Sequence, residues 1–388
     1  MPYTTTFSSL SSRGWKSDQV IFYTYNEVDF NSTGTDPGRT GGVKIARDTG
    51  NILVYSDAFA NVSLNQRAGI FRKATSTNNI IGNIANIATG NTANQYLSTV
   101  IGVDDYGNYA VASDGAQIIT IGTPYTYVYA NSANVWTEQA NIVGQHPTIN
   151  GNGDTLAVWT SVYNITIYER SVNTWSNVAN FTSNADINFG RADTRKSFNQ
   201  NGNILVVGSP SDDSGATDAG KIFIYEKVAN VWTETANITG NVANYQIGKS
   251  VQLNSNGNMM IVGVPGYGTS GAIFTYENIA NTWTHTNTIT SNVAYSLSKL
   301  GDSGISANDN ISTVLGHSSD GTDSYVHIFQ YDTTNDQYIE TQSINSTDPN
   351  ITGGFGFGQF LDMTYDGSKF VTSTVTNTGT KGIYLFSR

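Results

Sequence analysis

The sequence has no cysteine in its 388 residues, which removes disulfides and thiolate metal sites from consideration. Charge is also scarce: Asp, Glu, Lys and Arg make up 13%, about half the usual share for a globular chain. Only 19 Lys plus Arg stand against 30 Asp plus Glu, a net charge of −11. No basic cluster occurs, so nucleic acid is not an expected partner. No apolar run approaches the roughly 20 residues of a membrane-crossing helix, so membrane insertion is not expected either. The first residues, MPYTTTFSSLSSRGW, lack the basic and apolar regions of a secretory signal.

Signatures of chemistry are equally sparse. There is no Gly-x-Ser-x-Gly elbow, no phosphate loop and no zinc motif. The four His (His146, His285, His317 and His327) read as lying in separate repeats without ligand spacing. Six of the seven Glu recur at two positions of a repeat: Glu169, Glu226 and Glu277 follow a Tyr, and Glu138, Glu234 and Glu340 come two residues after an aromatic. They read as scaffold positions rather than an acid–base pair. No catalytic residue, metal or cofactor is therefore assigned from sequence.

What is present is repetition. Hydrophobic residues are 38% and aromatics 11%, too rich for disorder. The stretch NFGRADTRKSFNQNGNILVVGSP…GKIFIYEKVANVWTETANITG is followed by YQIGKSVQLNSNGNMMIVGVP…GAIFTYENIANTWTHTNTIT. Each copy contains four short strand-like runs, here termed A to D, so each reads as one antiparallel sheet. One such sheet cannot bury both faces and needs a neighbour on each side. Turns between A and B recur at Gly50, Gly107, Gly153, Gly202, Gly257, Asp309 and Gly367, implying seven sheets. The pairs Asn152-Gly153, Asn201-Gly202 and Asn256-Gly257 suggest two-residue type I′ hairpins. A seven-residue spacing links Tyr129 to Trp136, Tyr168 to Trp175, Tyr225 to Trp232, Tyr276 to Trp283 and Tyr331 to Tyr338. These aromatics are expected to pair across the C–D hairpin. At the C-terminus KGIYLFSR aligns with a strand C, while Trp15 to Ile21 matches the strand D from Trp232 to Ile238. The expectation is a ring closed by an N-terminal strand, about 15–21, completing the last sheet. Residues 1–12 form an arm and 13–388 a single domain.

The segments Phe189-Gly190…Val207-Gly208-Ser209-Pro210 and Ile247-Gly248…Val262-Gly263-Val264-Pro265 resemble FG-GAP repeats, the blades of integrin-α-type β-propellers. The resemblance implies an all-β, seven-bladed β-propeller of four-stranded antiparallel blades, often extracellular and serving adhesion or ligand binding. The family's calcium loops carry several Asp. Here the A–B loops read RDTGN, DDYGN, NGNGD, NQNGN, NSNGN, ANDN and YDGS, too poor in carboxylates for a six- to eight-oxygen site.

Function then falls to the B–C and D–A connections, which vary in length on one face of the ring: 57–67, 114–124, 209–219, 264–270 and 317–324, plus the run Asp29 to Gly42. Asp212, Asp213 and Asp218 are binding candidates in the longest loop of a well-formed repeat, and Tyr267 is another in the next. The expectation is a non-enzymatic binding or adhesion protein at a virion surface or outside the cell. Its partners would be proteins of a particle or cell surface, or a glycan. The alternatives are a secreted cellular adhesion or carbohydrate-binding protein whose signal is removed, and a glycan-cleaving propeller.

Overall fold

The computed structural model describes residues 3–5, 16–24, 43–50, 52–57, 67–73, 80–87, 97–114, 125–133, 135–161, 163–183, 186, 189–192, 195–291, 297–348, 351, 356–374 and 380–388. Every regular element among them is a β-strand. The chain begins with β1 (Tyr3–Thr5) and β2 (Lys16–Thr24). A meander of β3 (Val43–Ile45), β4 (Ile52–Asp57), β5 (Arg67–Lys73) and β6 (Ile80–Ile87) follows. The next sheet holds β7 (Leu97–Val103), β8 (Tyr109–Asp114), β9 (Tyr125–Ser132) and β10 (Val135–Val143). Then come β11 (Gln145–Ile149), β12 (Thr155–Ser161), β13 (Asn164–Ser171) and β14 (Thr174–Thr182). The better-matched repeats give β15 (Lys196–Phe198), β16 (Ile204–Ser209), β17 (Lys221–Val228) and β18 (Val231–Thr239), then β19 (Val251–Leu253), β20 (Met259–Val264), β21 (Ala272–Ile279) and β22 (Thr282–Ile289). A further sheet has β23 (Ile305–Ala307), β24 (Thr313–Ser319), β25 (Ser324–Asp332) and β26 (Gln337–Asn345). Finally β27 (Leu361–Met363), β28 (Lys369–Ser373) and β29 (Thr380–Ser387) combine with the N-terminal strands in the order β1-β2-β29-β28-β27.

The reading of seven four-stranded sheets is corrected: six have four strands, and the sheet where the two ends of the chain meet has five. Strand β2 pairs antiparallel with β29, with Val20 opposite Tyr384 and Ile21 opposite Ile383. Its register skips Asp18, just as β18 skips Thr235 opposite β17. The N-terminal strand thus reproduces a strand D down to its bulge; Trp15 itself lies outside the described residues. Part of the 1–12 arm joins the sheet, since Tyr3, Thr4 and Thr5 pair with Phe22, Ile21 and Val20. An outermost strand offers unpaired backbone groups, and β1 takes them up.

Burial follows the gradation along each meander. In β12 and β16 five consecutive residues are buried, whereas β18 is mostly exposed, with Trp232 alone buried. The innermost strands touch in succession: β3 with β7, β7 with β11, β11 with β15, β15 with β19, β19 with β23, β23 with β27, and β27 with β3. The circle is closed, and apolar clusters fill the gaps between sheets. In one of them Phe198 and Leu205 of one sheet pack with Ile165 and Phe181 of the one before.

Two turn assignments exchange places. In these three A–B loops only the glycine has positive φ (72° at Gly153, 68° at Gly202, 74° at Gly257), so they are not type I′ pairs. Asn150 opens the loop instead, its Oδ1 accepting from the N–H of Asp154 at 2.9 Å and Thr155 at 2.8 Å. Asn199 and Asn254 do the same in the next two sheets. A side-chain acceptor at the first loop position satisfies two N–H groups that a longer loop leaves open. Two-residue turns with both φ positive occur between C and D, at Ala229 (50°) and Asn230 (63°), and at Ala280 (49°) and Asn281 (65°).

The spaced aromatics also behave differently from expectation. Trp232 lies opposite Lys227, not Tyr225. Tyr225 stacks on Phe181 of the preceding sheet with centroids 3.8 Å apart, and Trp232 meets the same ring edge-on at 6.4 Å. Aromatics here join sheet to sheet, because that interface is where the larger apolar area is removed from water. Tyr331 and Tyr338 do pair across their hairpin, at 5.2 Å.

Val172, at the β13–β14 turn, has φ 57° and is 81% exposed. A β-branched residue is strained there and gains nothing from packing. Val172→Asn is expected to raise stability by about 1 kcal/mol, read as a higher melting temperature.

Candidate functional site

Connections on the B–C and D–A face are pinned rather than loose. Between β16 and β17, Asp212 is buried, and its Oδ1 accepts from the N–H of Ser214 at 2.9 Å and from the Ser214 hydroxyl. Asp213 is exposed and accepts from the N–H of Asp218 at 2.6 Å. Asp218 itself has φ 49°, and its carbonyl accepts from Gln246 N–H at 3.0 Å, tying the loop to the entry of the next sheet. Tyr267 packs on Tyr245 at 5.5 Å and Phe274 at 5.4 Å. The structure therefore brings Asp213 and Asp218 together, turns Asp212 inward, and sets Tyr267 in the neighbouring loop. Among the described residues no three His, Asp or Glu gather as a metal site. The interiors of connections 57–67 and 114–124 and the run Asp29 to Gly42 lie outside the described residues.

On the ring axis the innermost strands enclose a cavity of about 120 Å³. Arg47 dominates one end. Its Nε donates to Met363 O at 3.1 Å, its Nη2 donates to Ala307 O at 2.8 Å, and its guanidinium lies 4.3 Å above the Tyr365 ring. Tyr365 in turn donates to Asp105 Oδ2 at 2.7 Å. Across the cavity Asp362 Oδ2 accepts from Ile45 N–H at 3.0 Å.

Sequence reasoning passed over Asp104 and Asp105 as a calcium-poor loop. Burial pushes the Asp104 carboxyl up to about 7 from its ordinary 3.8. Asp105 is pushed up to about 6, again by burial, with Arg47 and the Tyr365 hydroxyl pulling back. Adjacent carboxyls with raised pKa values are a pattern met at catalytic sites. Here the geometry assigns them to the scaffold. Asp104 occupies the loop position of Asn150, and its Oδ1 accepts from Asn108 N–H at 2.7 Å and Tyr109 N–H at 2.9 Å. Its Oδ2 is buried without a partner, where Asn150 has an NH₂ donating to Gln200 O at 3.1 Å.

A second constellation was not visible in the sequence. His327 Nε2 lies 2.7 Å from Ser318 Oγ, and His327 Nδ1 lies 2.7 Å from Glu340 Oε1. The order Ser–His–carboxylate is that of a nucleophilic relay. Ser318 and His327 are wholly buried inside one sheet, so no substrate reaches the hydroxyl. This corrects the reading of the histidines as separate: His317 on β24 and His327 on β25 share a sheet. Burial pushes His317 down to about 3, so it is neutral.

No family model matches the chain, and no curated protein matches its sequence. Solved structures do. The Cps50 (Swd1) β-propeller domain from Myceliophteria thermophila has a TM-score of 0.59 at 10% identity, over 92% of this chain and 98% of that one. The fold is a β-propeller of four-stranded antiparallel blades. The periplasmic gluconolactonase PpgL of Pseudomonas aeruginosa has a TM-score of 0.56 at 13% identity, over 87% and 99%. Hydrazine synthase of Kuenenia stuttgartiensis has 0.57 at 13%, over 90% and 96%. At such identities the likeness concerns fold alone.

The buried carboxyl has a consequence for pH. Folding raises the Asp104 pKa from 3.8 to about 7, so the folded chain holds this proton more tightly than the unfolded one. Its contribution to stability is therefore most favourable below pH 4, declines as pH rises, and levels off above about 7. Asp104→Asn supplies the amide that Asn150, Asn199, Asn254 and Asn308 provide at this position in four other blades. It is expected to flatten that slope and add about 1–3 kcal/mol at pH 8, measured by urea unfolding at pH 5 and pH 8.

Proposed function

We propose that this chain is a non-enzymatic binding propeller displayed on an exposed surface, with its contacts made by the loop face around Asp213, Asp218 and Tyr267. The observation supporting this is the contrast between the two regions. In the channel Arg47, Tyr365, Asp105 and Asp362 are engaged in hydrogen bonds between blades, while the loop between β16 and β17 presents carboxylates on a backbone braced at both ends. A rigid scaffold carrying polar loops is the arrangement suited to recognition. We count the five-stranded sheet as the seventh blade, closed by β2. The low charge and the abundance of Asn, Thr and Tyr suit a virion component meeting a host receptor, a glycan or a neighbouring particle protein. A secreted adhesion protein is the second reading. The gluconolactonase likeness, at 13% identity, concerns the fold and lends no activity.

The test is a binding assay on a panel of whole cells and purified particles, using labelled wild type and the Asp213→Asn/Asp218→Asn double variant. Asn preserves the acceptor that orders the loop. Binding is expected to fall about tenfold or more with the melting temperature unchanged. Turnover of a lactone and glycoside panel by the wild type would refute the non-enzymatic reading.

A further inference from the structure

The innermost strands carry a circle of hydrogen bonds around the channel wall, and it is incomplete. Alternate residues of an antiparallel strand bond to opposite sides, so the free edge of each innermost strand turns an N–H toward the axis. Four of these groups meet a side chain from the blade before. Leu253 N–H donates to Ser197 Oγ, Ala307 N–H to Gln252 Oε1, Met363 N–H to Ser306 Oγ and Ile45 N–H to Asp362 Oδ2, each at 3.0 Å. In every case the acceptor is the central residue of a three-residue strand.

The other three links fail. By the same register the acceptor position holds Lys44 in β3, Gly102 in β7 and Thr148 in β11. An ammonium can only donate, and glycine has no side chain. No bond joins Thr148 to the following strand among the described residues. The N–H groups of Asp104, Asn150 and Asn199 bond back into their own sheets, to Tyr109 O, Thr155 O and Ile204 O. The residues just before them, Val103, Ile149 and Phe198, therefore turn their N–H groups to the axis, and no protein acceptor takes these up. A Cβ on Gly102 would lie 3.9 Å from Ile149 N, so the missing side chain is what leaves that donor open.

The axial cavity of about 120 Å³ is lined along this arc by Lys44, Val103, Thr148, Ile149 and Phe198. Val103 and Ile149 are half-buried, whereas Leu253, Ala307 and Met363, their counterparts in the completed arc, are buried. Lys44 leaves β3 on the side of β7, as Ser197 leaves β15 on the side of β19, and it forms no ion pair among the described residues. The two carboxyls of the wall are engaged elsewhere, Asp362 with Ile45 N–H and Asp105 with the Tyr365 hydroxyl. Backbone N–H groups on a concave wall beside an ammonium form an anion-binding arrangement. An oxyanion accepts from several donors at once, which a neutral hydroxyl does less well and a cation not at all.

We propose that the channel binds one small inorganic oxyanion of the phosphate or sulfate type, held by Lys44 and the N–H groups of Val103 and Ile149. The ion takes the place of the missing side-chain acceptors and completes the circle. This site is independent of the loop face around Asp213 and Asp218.

The experiment is calorimetric titration of inorganic phosphate and sulfate, at constant ionic strength, into wild type, Lys44→Gln, Lys44→Arg and Asp213→Asn/Asp218→Asn, with melting temperatures in parallel. Wild type is expected to take up one ion per chain and to melt higher in its presence. Lys44→Gln removes the charge and offers Val103 N–H the amide oxygen that Gln252 offers Ala307. Its affinity should fall about tenfold or more, while the ion-free protein melts no lower than wild type. Lys44→Arg and the loop-face variant should bind like wild type. No uptake by wild type, an equal response to chloride, undiminished binding by Lys44→Gln, or lost binding in the loop-face variant would each overturn the proposal. The first two results rest on wild type alone and stand even if a variant fails to fold.

Discussion

A relay of hydrogen bonds running from turn to turn around the ring underlies the rest of this structure. Tyr365 N–H donates to Arg47 O, Asp309 N–H to Tyr365 O, and Ser255 N–H to Asp309 Oδ1 at 2.7 Å. Gln200 N–H donates to Ser255 O, Asn152 N–H to Gln200 O, Asp105 N–H to Gly151 O, and Asp48 N–H to Asp105 O, which returns to the start. Each A–B turn is thereby satisfied by its neighbour. A turn standing alone would leave that donor and acceptor to water, so the circle is worth more than its separate links. Tilting one blade would break hydrogen bonds on both sides.

Adjacent blades also approach closely at the opposite ends of strands B, which explains the glycine motifs. A Cβ on Gly208 would lie 1.9 Å from Gly248 O, and one on Gly263 would lie 2.0 Å from Gly301 O. The Val-Gly-x-Pro run of strand B and the Phe-Gly or Ile-Gly pair entering the next blade are two sides of one contact. The resemblance to FG-GAP repeats is thus a resemblance in how blades touch, and no family model extends it further.

Within this common frame the blades differ where substitutions fall at interfaces. Glu169 bridges to Trp232 and Lys227, while Ala130 leaves Trp175 unanswered. Asp104 replaces the loop asparagine and retains a buried oxygen without a partner. Ile311 takes the glycine position of its turn at φ 52°. Such departures cost stability locally and persist because the closed ring over-determines each blade. They also mark the places where one blade has surfaces the others lack.

Much of this was legible in the chain. The A–B glycine positions, the graded polarity of strands B to D and the match of residues 15–21 to a strand D depend on local pattern, and the pairing of β2 with β29 follows from them. The turn types were not legible: Asn152-Gly153 reads as a two-residue turn, yet Asn150 supplies the acceptors that make a longer one. Nor was the partner of Tyr225, since nothing in one repeat says that Phe181 of the previous repeat will cover it. His327, Ser318 and Glu340 come from three strands whose register, with its bulge between Ile328 and Phe329, sets their meeting. By itself the sequence determined the repeating unit and its closure, because periodicity encodes which face of each strand must leave water. Only the tertiary structure decided which side chains meet across the gaps between blades. Those contacts join residues some 50 positions apart, and no local pattern carries their geometry.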